Sequence, residues 1–466
     1  MLKSSMMRLT CGGAAFALLA AVAPVRLWAA DNHYIGGAGN WGDPNNWSLG
    51  LPSLSDTNTD VDPSIPGTAV TIDVTTTDLG QNSLTVNNLN ILYASQVYVV
   101  PDASPNVPLT IQNQLTVDQD ALMFMQGGAV SAASADFGAY ANGNGILEAG
   151  AFSVSDDLHL GRYGGGSGFF TQGGGTLSVG LAEYVGPAFS TVNATGNFQQ
   201  SGGTHTVGNG LQVGNQSVGS GAYGMSGGTL SVTNGIFVGQ VGAFTQTGGT
   251  VSTVNGGGYG DLTVDGSYEL DNTNLSDPAV LQVANNEYIG DYGTGSFLQT
   301  GGTNTANGII YIDPSGLQTG SVYDLQGGTL SATQIVNGGL LKIHGGATLN
   351  ATITGNGTVE YTGNANLAGG TISQPLVVDA NTTVTKTTAA TETISGTQTY
   401  GVNTTYEADL GTTIFTTPIG TAGSANLVIH ANTTKIIFNL GSFGGSHVEW
   451  AAGLAANTPR SLGKNA

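Results

Sequence analysis

Positively charged side chains are scarce in this sequence. Nine Lys and Arg residues stand against 30 Asp and Glu residues, which gives a formal net charge of −21 at pH 7. Arg162 is the sole cation between Asp31 and Leu341. A nucleic-acid site needs several Lys or Arg side chains to neutralise phosphates, and attachment to anionic lipid needs a basic cluster as well. The sequence therefore excludes both kinds of partner.

Cysteine is almost absent too. The one cysteine, Cys11, lies in an apolar segment near the N-terminus. If that segment is removed, neither a disulfide, a thiolate metal site nor a cysteine nucleophile can contribute. Charged residues of both signs make up only 8% of the chain, against about 25% in an average soluble protein. Helical folds are excluded, because their solvated faces carry many charged side chains.

Glycine is abundant instead. It accounts for 75 of the 466 residues, more than twice the average frequency of about 7%. Hydrophobic residues still make up 39% of the chain, which is too many for a disordered polymer. This composition predicts a folded, turn-rich, all-β protein.

Residues 1–30 are typical of a secretory signal peptide. Lys3 and Arg8 precede an apolar run from Cys11 to Ala23, which is too short to span a membrane. We expect cleavage near Ala29 or Ala30, with an uncleaved anchor as the alternative. The mature chain contains no transmembrane segment, so we expect it to be secreted or located at the cell surface.

An internal repeat specifies the architecture. Its units share an aromatic residue, except in the copies that begin at Met123 and Ile146. A Gln, Met or Leu follows two places later in the clear copies, and then Gly-Gly with Thr or Ala. The clear copies are residues 123–129, 170–176, 198–204, 223–229, 244–250, 297–303 and 323–329, with weaker copies at 146–152 and 268–274. Each unit also has a second apolar element that ends in Gly, such as Leu158-His159-Leu160-Gly161. Short strands between Gly turns at a period of about 25 residues predict a parallel β-helix, that is, a β-solenoid.

Alternation along a strand assigns the faces of each unit. The aromatic position and the Gln, Met or Leu position share one side, which we expect to face inward, with stacked Gln amides bonding along the solenoid axis. After the turn, Leu177 and Val179 should face inward, whereas Thr176 and Ser178 face outward. An aromatic stripe that binds a ligand is the alternative for the aromatic position.

We divide the chain into a signal peptide (1–30), an N-terminal cap (31–60), the solenoid (61–440, with the clearest repeats at 120–375) and a C-terminal tail (441–466). The cap contains Trp41 and Trp47, which we expect to cover the open end of the solenoid. Stacking of sugars on exposed tryptophans is the alternative.

The segment Asn40-Trp41-Gly-Asp-Pro-Asn-Asn-Trp47-Ser-Leu-Gly-Leu-Pro52, followed by Gly-Gly-Thr repeats, resembles bacterial secreted proteins with autotransporter-associated β-strand repeats. The likeness covers about residues 34–375. It implies a solenoid at the cell surface or outside the cell, which in some members is adhesive. Residues 440–466 depart from the pattern because they contain neither the strands of a membrane barrel nor a sorting motif. The protein is then either released, or its anchoring part is missing from this chain.

Three patterns could carry chemistry. Asp156, Asp157, His159 and Arg162 form the one compact cluster of acid, histidine and arginine, but consecutive aspartates on a strand point to opposite faces. The series Asp56, Asn58, Asp60, Asp62 begins like a calcium loop, yet it lacks the Gly and Glu that such a loop requires later. Ice binding needs Thr-x-Thr in register on every coil. We expect no such uniform face, because unit lengths vary from 21 to 28 residues and the triplets change from Thr-Leu-Ser to Thr-His-Thr and Thr-Val-Ser.

We therefore expect no catalytic, cofactor-binding or metal-binding residues. The predicted function is that of an exported structural or adhesive protein, whose partners are surface glycans or other cell-surface proteins. A secreted carbohydrate-active or carbohydrate-binding β-helix, such as a polysaccharide lyase or glycosidase, is the alternative. A groove in which carboxylates and an aromatic residue converge on one outer face would favour it.

Overall fold

The computed structural model describes residues 30–61, 68–73, 84–100, 108–188, 193–257, 259–318, 320–367, 369–417, 426–429, 434–438 and 448–451. Of the predicted signal peptide only Ala30 falls within these ranges, and of the predicted tail only 448–451. The described residues are almost entirely β-structure, and their single helical element is a 3-10 turn at Pro44–Asn46. They include no helix with the length and apolarity needed to cross a membrane.

The strands form three sheets. The first sheet has 26 strands: Asn32–His33, Thr59–Val61, Leu84–Val86, Leu89–Ile91, Pro108–Val117, Ala129–Phe137, Ala151–Val154, Leu158–Leu160, Thr176–Val179, Ala182–Val185, Thr204–Val207, Gly210–Val213, Thr229–Val238, Thr250–Val254, Gly260–Val264, Val280–Val283, Glu287–Ile289, Thr303–Ala306, Ile309–Ile312, Thr329–Asn337, Thr348–Gly355, Gly370–Ile372, Thr391–Ile394, Thr412–Phe415, Lys435–Phe438 and Val448–Ala451. The second has 16: Gly39–Asn40, Ala69–Ile72, Gln96–Val99, Ala121–Met125, Asn142–Leu147, Ser167–Gln172, Thr195–Gln200, Ser220–Met225, Gly242–Gln246, Ser267–Leu270, Ser296–Gln299, Val322–Leu325, Leu340–His344, Thr358–Thr362, Leu376–Val378 and Gln398–Tyr400. The third has four: Ala365–Leu367, Thr383–Lys386, Thr405–Ala408 and Asn426–Ile429.

Each strand pairs with its equivalent in the next coil. Ser167–Gln172, for example, pairs in parallel with Thr195–Gln200, and Thr176–Val179 pairs with Thr204–Val207. Among these strands the pairing is parallel except between Lys435–Phe438 and Val448–Ala451, and an isolated antiparallel bridge joins Tyr34 to Trp47. Coils about 25 residues apart stack into a β-solenoid of about 14 turns. At about 4.8 Å per coil the stack is roughly 65–70 Å long. The predicted fold is confirmed.

The second glycine of Gly-Gly-Thr makes the corner between two strands. Gly203 and Gly228 have φ values of +73° and +85°, which side chains other than glycine rarely adopt. A Cβ atom would also lie 2.5 Å from the carbonyl oxygen of Gly175 at Gly203, and 2.6 Å from that of Gly203 at Gly228. Both the turn and the close stacking of coils therefore require glycine here.

The aromatic position of the repeat forms a continuous column inside the solenoid. Its rings are buried, and neighbouring centroids lie 4.5–5.3 Å apart. The column consists of Phe170, Phe198, Tyr223, Phe244, Tyr268, Phe297 and Tyr323. The prediction that these rings face inward is confirmed, and the alternative of an exposed ligand-binding stripe at this position is wrong.

The inward glutamines bond along the axis, as predicted, but not to one another. The amide of Gln246 donates to the carbonyl of Val280 in the next coil at 3.0 Å, and its Oε1 accepts from the Tyr268 hydroxyl at 2.8 Å. Gln200 with Tyr223 and Gln299 with Tyr323 repeat the 2.8 Å bond. Each of these glutamines is thus followed one coil later by tyrosine, whose hydroxyl satisfies the amide oxygen.

The weak copy predicted at 146–152 is wrong by one residue. Gly145, not Ile146, pairs with Phe170 and Met123, and Leu147 occupies the next inward position. No aromatic ring is needed at Gly145, because the Phe170 ring fills the space where its Cβ would lie. A slip of one residue exchanges the inward and outward faces of a strand.

The N-terminal segment forms the first coil. Asn32–His33 and Gly39–Asn40 pair in parallel with Thr59–Val61 and Ala69–Ile72. Trp41 and Trp47 are both buried, with ring centroids 4.8 Å apart, and the Trp47 indole donates to the Trp41 carbonyl. Sugar stacking on these tryptophans is therefore wrong, because neither ring is exposed.

Candidate binding site

Two columns of outward side chains run along the first sheet and differ sharply in composition. The first, which we name the hydroxyl ladder, consists of Thr85, Thr110, Ser131, Ser153, Ser178, Thr206, Ser231, Ser252, Gln282, Thr305, Ser331 and Asn350. The expectation that variable unit lengths would destroy such register is wrong. Strand residues pair one to one from coil to coil, so the differences in length fall between the strands.

The second column, which we name the mixed ladder, crosses the same sheet one strand further along each coil. Its rungs are His33, Asp60, Asn90, Thr116, Asp136, His159, Tyr184, Gln212, Phe237, Thr263, Tyr288, Tyr311, Val336 and Thr354. Acids and histidines occupy its N-terminal part, and aromatic side chains occupy its middle. The mixed ladder is the candidate functional face.

At the N-terminal end, Asp31 joins His33 and Asp60, and ligand atoms of the three lie within 4.8 Å of one another. Asn58 donates to Asp31 Oδ1 at 2.9 Å, and Asn90 donates to Asp60 Oδ1 at 2.7 Å. Carboxylate oxygens with one imidazole nitrogen form a donor set that suits several divalent cations. The expectation of no metal-binding residues did not foresee this group.

The calcium-loop series is not assembled as its spacing suggested. Asp56 is buried and accepts hydrogen bonds from the Ser53 amide at 2.9 Å and from Asn32 Nδ2 at 3.2 Å. Asp60 instead lies beside His33, with Oδ2 3.4 Å from Nδ1. Asp62 lies outside the described residues. Asp56 and Asp60 therefore contact different residues.

The predicted acid, histidine and arginine cluster is rearranged. Arg162 Nη1 contacts both oxygens of Asp136, at 2.9 and 3.1 Å, and Asp157 accepts from the Ala182 amide at 2.9 Å. Burial, with a smaller effect of the Arg162 charge, lowers the pKa of His159 to about 3. His159 is thus a neutral, buried ring at neutral pH, and Asp156 lies exposed in the bend before its strand.

The aromatic rungs are stacked in pairs with gaps between them. His159 stacks on Tyr184 at 4.8 Å and Tyr288 on Tyr311 at 5.1 Å, each with nearly parallel ring planes. Phe237 lies between these pairs, and the rungs on either side of it are Gln212 and Thr263. All of these rungs are half-buried except His159, which is buried.

A groove of about 710 Å³ lies over the middle of the mixed ladder. Its floor includes Tyr184, Gln212, Phe237 and Thr263. One wall includes Gly256, Gly257, Asp261 and Tyr259, and Tyr259 is 68% exposed. The groove exists because the neighbouring outward column carries little side-chain bulk: its members here are Ala182, Gly210 and Gly235.

Polar groups line the rim of the groove. Asn234 donates to Asn209 Oδ1 at 3.0 Å, while Asn234 Oδ1 is buried and has no hydrogen-bond partner among the described residues. Asp261 Oδ1 accepts from the Asn286 amide at 3.0 Å and from Asn285 Nδ2 at 2.8 Å. The rim thus places asparagine side chains and one carboxylate beside the aromatic floor.

Two buried polar clusters lie beneath the ladders. In one, Glu183 Oε2 lies 2.7 Å from His205 Nε2, and His205 Nδ1 lies 3.0 Å from the Tyr223 hydroxyl. In the other, Asn304 Nδ2 donates to Glu287 Oε2 at 3.1 Å and contacts the Tyr323 hydroxyl at 3.0 Å.

Burial raises the pKa of Glu287 to about 8, although the Asn304 bond lowers it. Both glutamates directly precede a tyrosine of the mixed ladder, so a buried carboxyl group lies beneath this face at these two coils.

No protein-family model, curated protein or solved structure matches the chain. The assignment of a site therefore depends on the geometry alone. The sequence contained one signal for the mixed ladder: its rungs stand two residues before the final Gly of the second apolar element, as in His159 before Gly161 and Phe237 before Gly239. Sequence reasoning missed the ladder because these rungs share no residue type.

Proposed function

We propose that the chain is an exported structural and adhesive solenoid, which acts at the cell surface or in the extracellular space and has no catalytic activity. The observation that carries this proposal is the contrast between the two outer ladders of one sheet. Stacking of coils imposes the same backbone on both, yet only the mixed ladder departs from small hydroxyl side chains. A face that carries aromatic and charged side chains, where small hydroxyl side chains would suffice for stacking, is suited to binding a partner.

The leader-like residues 1–30 and the resemblance to autotransporter-associated repeats support export and a surface role. The partners we propose are surface glycans or other cell-surface proteins. Anionic partners are disfavoured, because the sequence contains no Lys or Arg between Tyr163 and Leu341, the stretch that includes the groove.

A secreted carbohydrate-active enzyme is the second candidate, because a groove on an outer face carries aromatic side chains. A glycosidase needs two carboxylates about 5 to 9.5 Å apart on either side of the scissile bond. The outward carboxylate that lines the described groove is Asp261, whereas Glu183 is fully buried against His205. This arrangement favours binding over hydrolysis.

The test combines export, adhesion and turnover. Full-length protein expressed in a Gram-negative host is fractionated, and the N-terminus of the exported form is read by mass spectrometry. We expect cleavage near Ala29 or Ala30. Beads coated with purified protein should adhere to immobilised bacterial envelopes, and incubation with polysaccharides should release no new reducing ends. Retention in the cytoplasm, failure to adhere, or turnover of any polymer would each contradict the proposal.

A further inference from the structure

The mixed ladder behaves as an aromatic stack from which single rings are missing. Where adjacent rungs are both aromatic, their rings lie 4.8 Å apart at His159 and Tyr184, and 5.1 Å apart at Tyr288 and Tyr311. Gln212 separates Tyr184 from Phe237, and Thr263 separates Phe237 from Tyr288. Each polar rung therefore interrupts the series by one ring.

The space left by each polar rung is as thick, along the solenoid axis, as one stacked ring. Strands of neighbouring coils lie about 4.8 Å apart, so rungs on alternate coils are separated by about 9.6 Å. A flat ring seated over the intervening rung would lie one stacking distance from the rung on each side. Gln212 leaves room for such a ring, because its amide is held to the side by a bond to the Pro187 carbonyl at 3.2 Å.

The neighbouring column keeps this space open to solvent. Ala182 and Gly210 share the outward face with Tyr184 and Gln212, since residues two apart on a strand point the same way. A Cβ atom at Gly210 would meet nothing closer than the Gly235 carbonyl oxygen at 3.8 Å. The 710 Å³ groove is therefore bounded by backbone at this point, and its lining crosses the successive coils that contribute Ala182, Gly210, Gly235 and Asp261.

The chemistry of the groove combines ring faces with hydrogen-bonding edges. Phe237 supplies the apolar surface, and the side chains of Thr263, Asp261 and Asn234 supply polar groups along the groove. A pyranose ring has matching chemistry, with apolar C–H faces and hydroxyl groups around its edge. Binding sites of this type place a few polar groups around an aromatic floor.

Charge selects among sugars. Asp261 is the outward ionisable group of the described floor and walls apart from the phenols, and no cation of the sequence lies between Tyr163 and Leu341. A uronate or phosphate would meet a carboxylate without a neutralising partner. The complementary ligand is uncharged.

We propose that the groove over Tyr184, Gln212, Phe237 and Thr263 binds an uncharged hexose chain along the solenoid axis, with a sugar ring over each rung that lacks an aromatic side chain. This inference deepens the proposed adhesive function and rests on it. It names the class of surface glycan that the mixed ladder recognises.

The test is calorimetric titration of purified full-length protein with cellohexaose, laminarihexaose and maltohexaose, beside hexagalacturonate and hexalysine. At least one neutral hexasaccharide should bind, and hexagalacturonate should not. Phe237→Ala should weaken the binding at least tenfold, because it removes the ring between the two gaps. Gly210→Gln should weaken it to a similar degree by filling the groove, without loss of stability, since glycine within a strand is unfavourable.

Gly173→Gln is the matched control. Gly173 lies at the corner after the second sheet, where a Cβ atom would meet only Ser201 Oγ at 4.0 Å, so this variant should bind like the wild type. Hexasaccharide binding that survives both Phe237→Ala and Gly210→Gln would overturn the proposed site. Binding of hexalysine or hexagalacturonate alone would overturn the ligand class. Adhesion that depends on Phe237 without binding of any hexasaccharide would overturn the sugar inference and leave the adhesive function in place.

Discussion

The hydroxyl ladder and the mixed ladder belong to one sheet, and their strands stack in the same way. They differ in the side chains that they present to solvent. Ten of the twelve rungs of the hydroxyl ladder are Ser or Thr, whose short side chains suit closely spaced parallel strands. Some of them bond along the axis, as Thr206 does to Ser178 at 3.2 Å. The mixed ladder places rings, acids and histidines where Ser or Thr would suffice for stacking.

The positions beneath the ladders differ in a corresponding way. Glu183 and Glu287 stand before Tyr184 and Tyr288 of the mixed ladder, whereas their partners, His205 and Asn304, stand before threonines of the hydroxyl ladder. Apolar residues occupy the equivalent positions in adjoining coils, as at Leu211 and Ile310. At these two places a buried polar cluster therefore replaces apolar core, and Glu183 of the first also lines the groove.

The largest expected effect comes from converting one ladder into the other. The triple variant Tyr184→Ser, Phe237→Ser and Tyr288→Ser should lower adhesion to bacterial envelopes by roughly a thousandfold or more, because each aromatic anchor of an interface contributes on the order of 2 kcal/mol. Retention of protein-coated beads measures the loss.

The matched control changes the hydroxyl ladder at three rungs, with Ser178→Ala, Ser231→Ala and Ser252→Ala. This variant should adhere like the wild type. Equal loss of adhesion in both triple variants would show that the contrast between the ladders has no bearing on binding. Urea unfolding of both variants verifies that the fold is retained.

The next effect concerns the acid beneath the mixed ladder. The unfolded carboxyl of Glu287 releases its proton near pH 4.5, whereas the folded one retains it to about pH 8. The unfolded state thus binds fewer protons in this window, so this group makes the free energy of unfolding fall as pH rises from about 4.5 to 8. Glu287→Gln should remove that fall, and its stability relative to wild type should rise by about 2–3 kcal/mol between pH 5 and pH 7, at about 1.4 kcal/mol per pKa unit.

Urea titration at pH 5 and pH 7 measures the difference. Glu269→Gln is the control, because Glu269 is half-buried on the outward side of the second sheet. It makes the same chemical change at an outward-facing glutamate. If the difference in free energy of unfolding between Glu287→Gln and wild type is the same at pH 5 and pH 7, the buried carboxyl of Glu287 does not contribute the predicted pH dependence.

Much of the fold was accessible from the sequence because packing repeats its demands on every coil. Gly203 and Gly228 must be glycine, and Phe198 and Tyr223 are flat rings in a stacked column, so these positions form a pattern that can be recognised in the sequence. Gly145 escaped it, since a neighbouring ring replaces its side chain. The mixed ladder could not be predicted as a site, because Gln212 and Phe237 share no chemistry until register places them in one column.

A third prediction concerns the interior beneath both ladders, where a tyrosine hydroxyl donates to the buried glutamine of the preceding coil. Tyr268→Phe should destabilise the protein by about 1–2 kcal/mol, because the buried Gln246 Oε1 loses its donor. Phe198→Tyr should stabilise it by about 1 kcal/mol instead, since Gln172 Oε1 on the preceding coil is buried and unpartnered. Urea midpoints measure both changes.

Phe244→Tyr tests whether an added hydroxyl stabilises the interior only where the preceding coil presents a glutamine. The preceding coil presents Met225, which gives a new hydroxyl no good acceptor, so the variant should be destabilised by about 1–2 kcal/mol. The same sign of change for Phe198→Tyr and Phe244→Tyr would contradict a glutamine-dependent interior.

The smallest expected effect comes from the same substitution, Thr to Val, made once on each ladder. Thr206→Val and Thr263→Val keep the branched shape and remove one half-buried hydroxyl each, so both should change the free energy of unfolding by less than about 0.5 kcal/mol. Thr206 belongs to the hydroxyl ladder and should leave hexasaccharide binding unchanged, whereas Thr263 lines the groove and its loss should weaken binding severalfold. Calorimetric titration of the two variants makes the comparison at constant stability. If both bind alike, the polar rung contributes only space, and recognition in the groove depends on its aromatic floor.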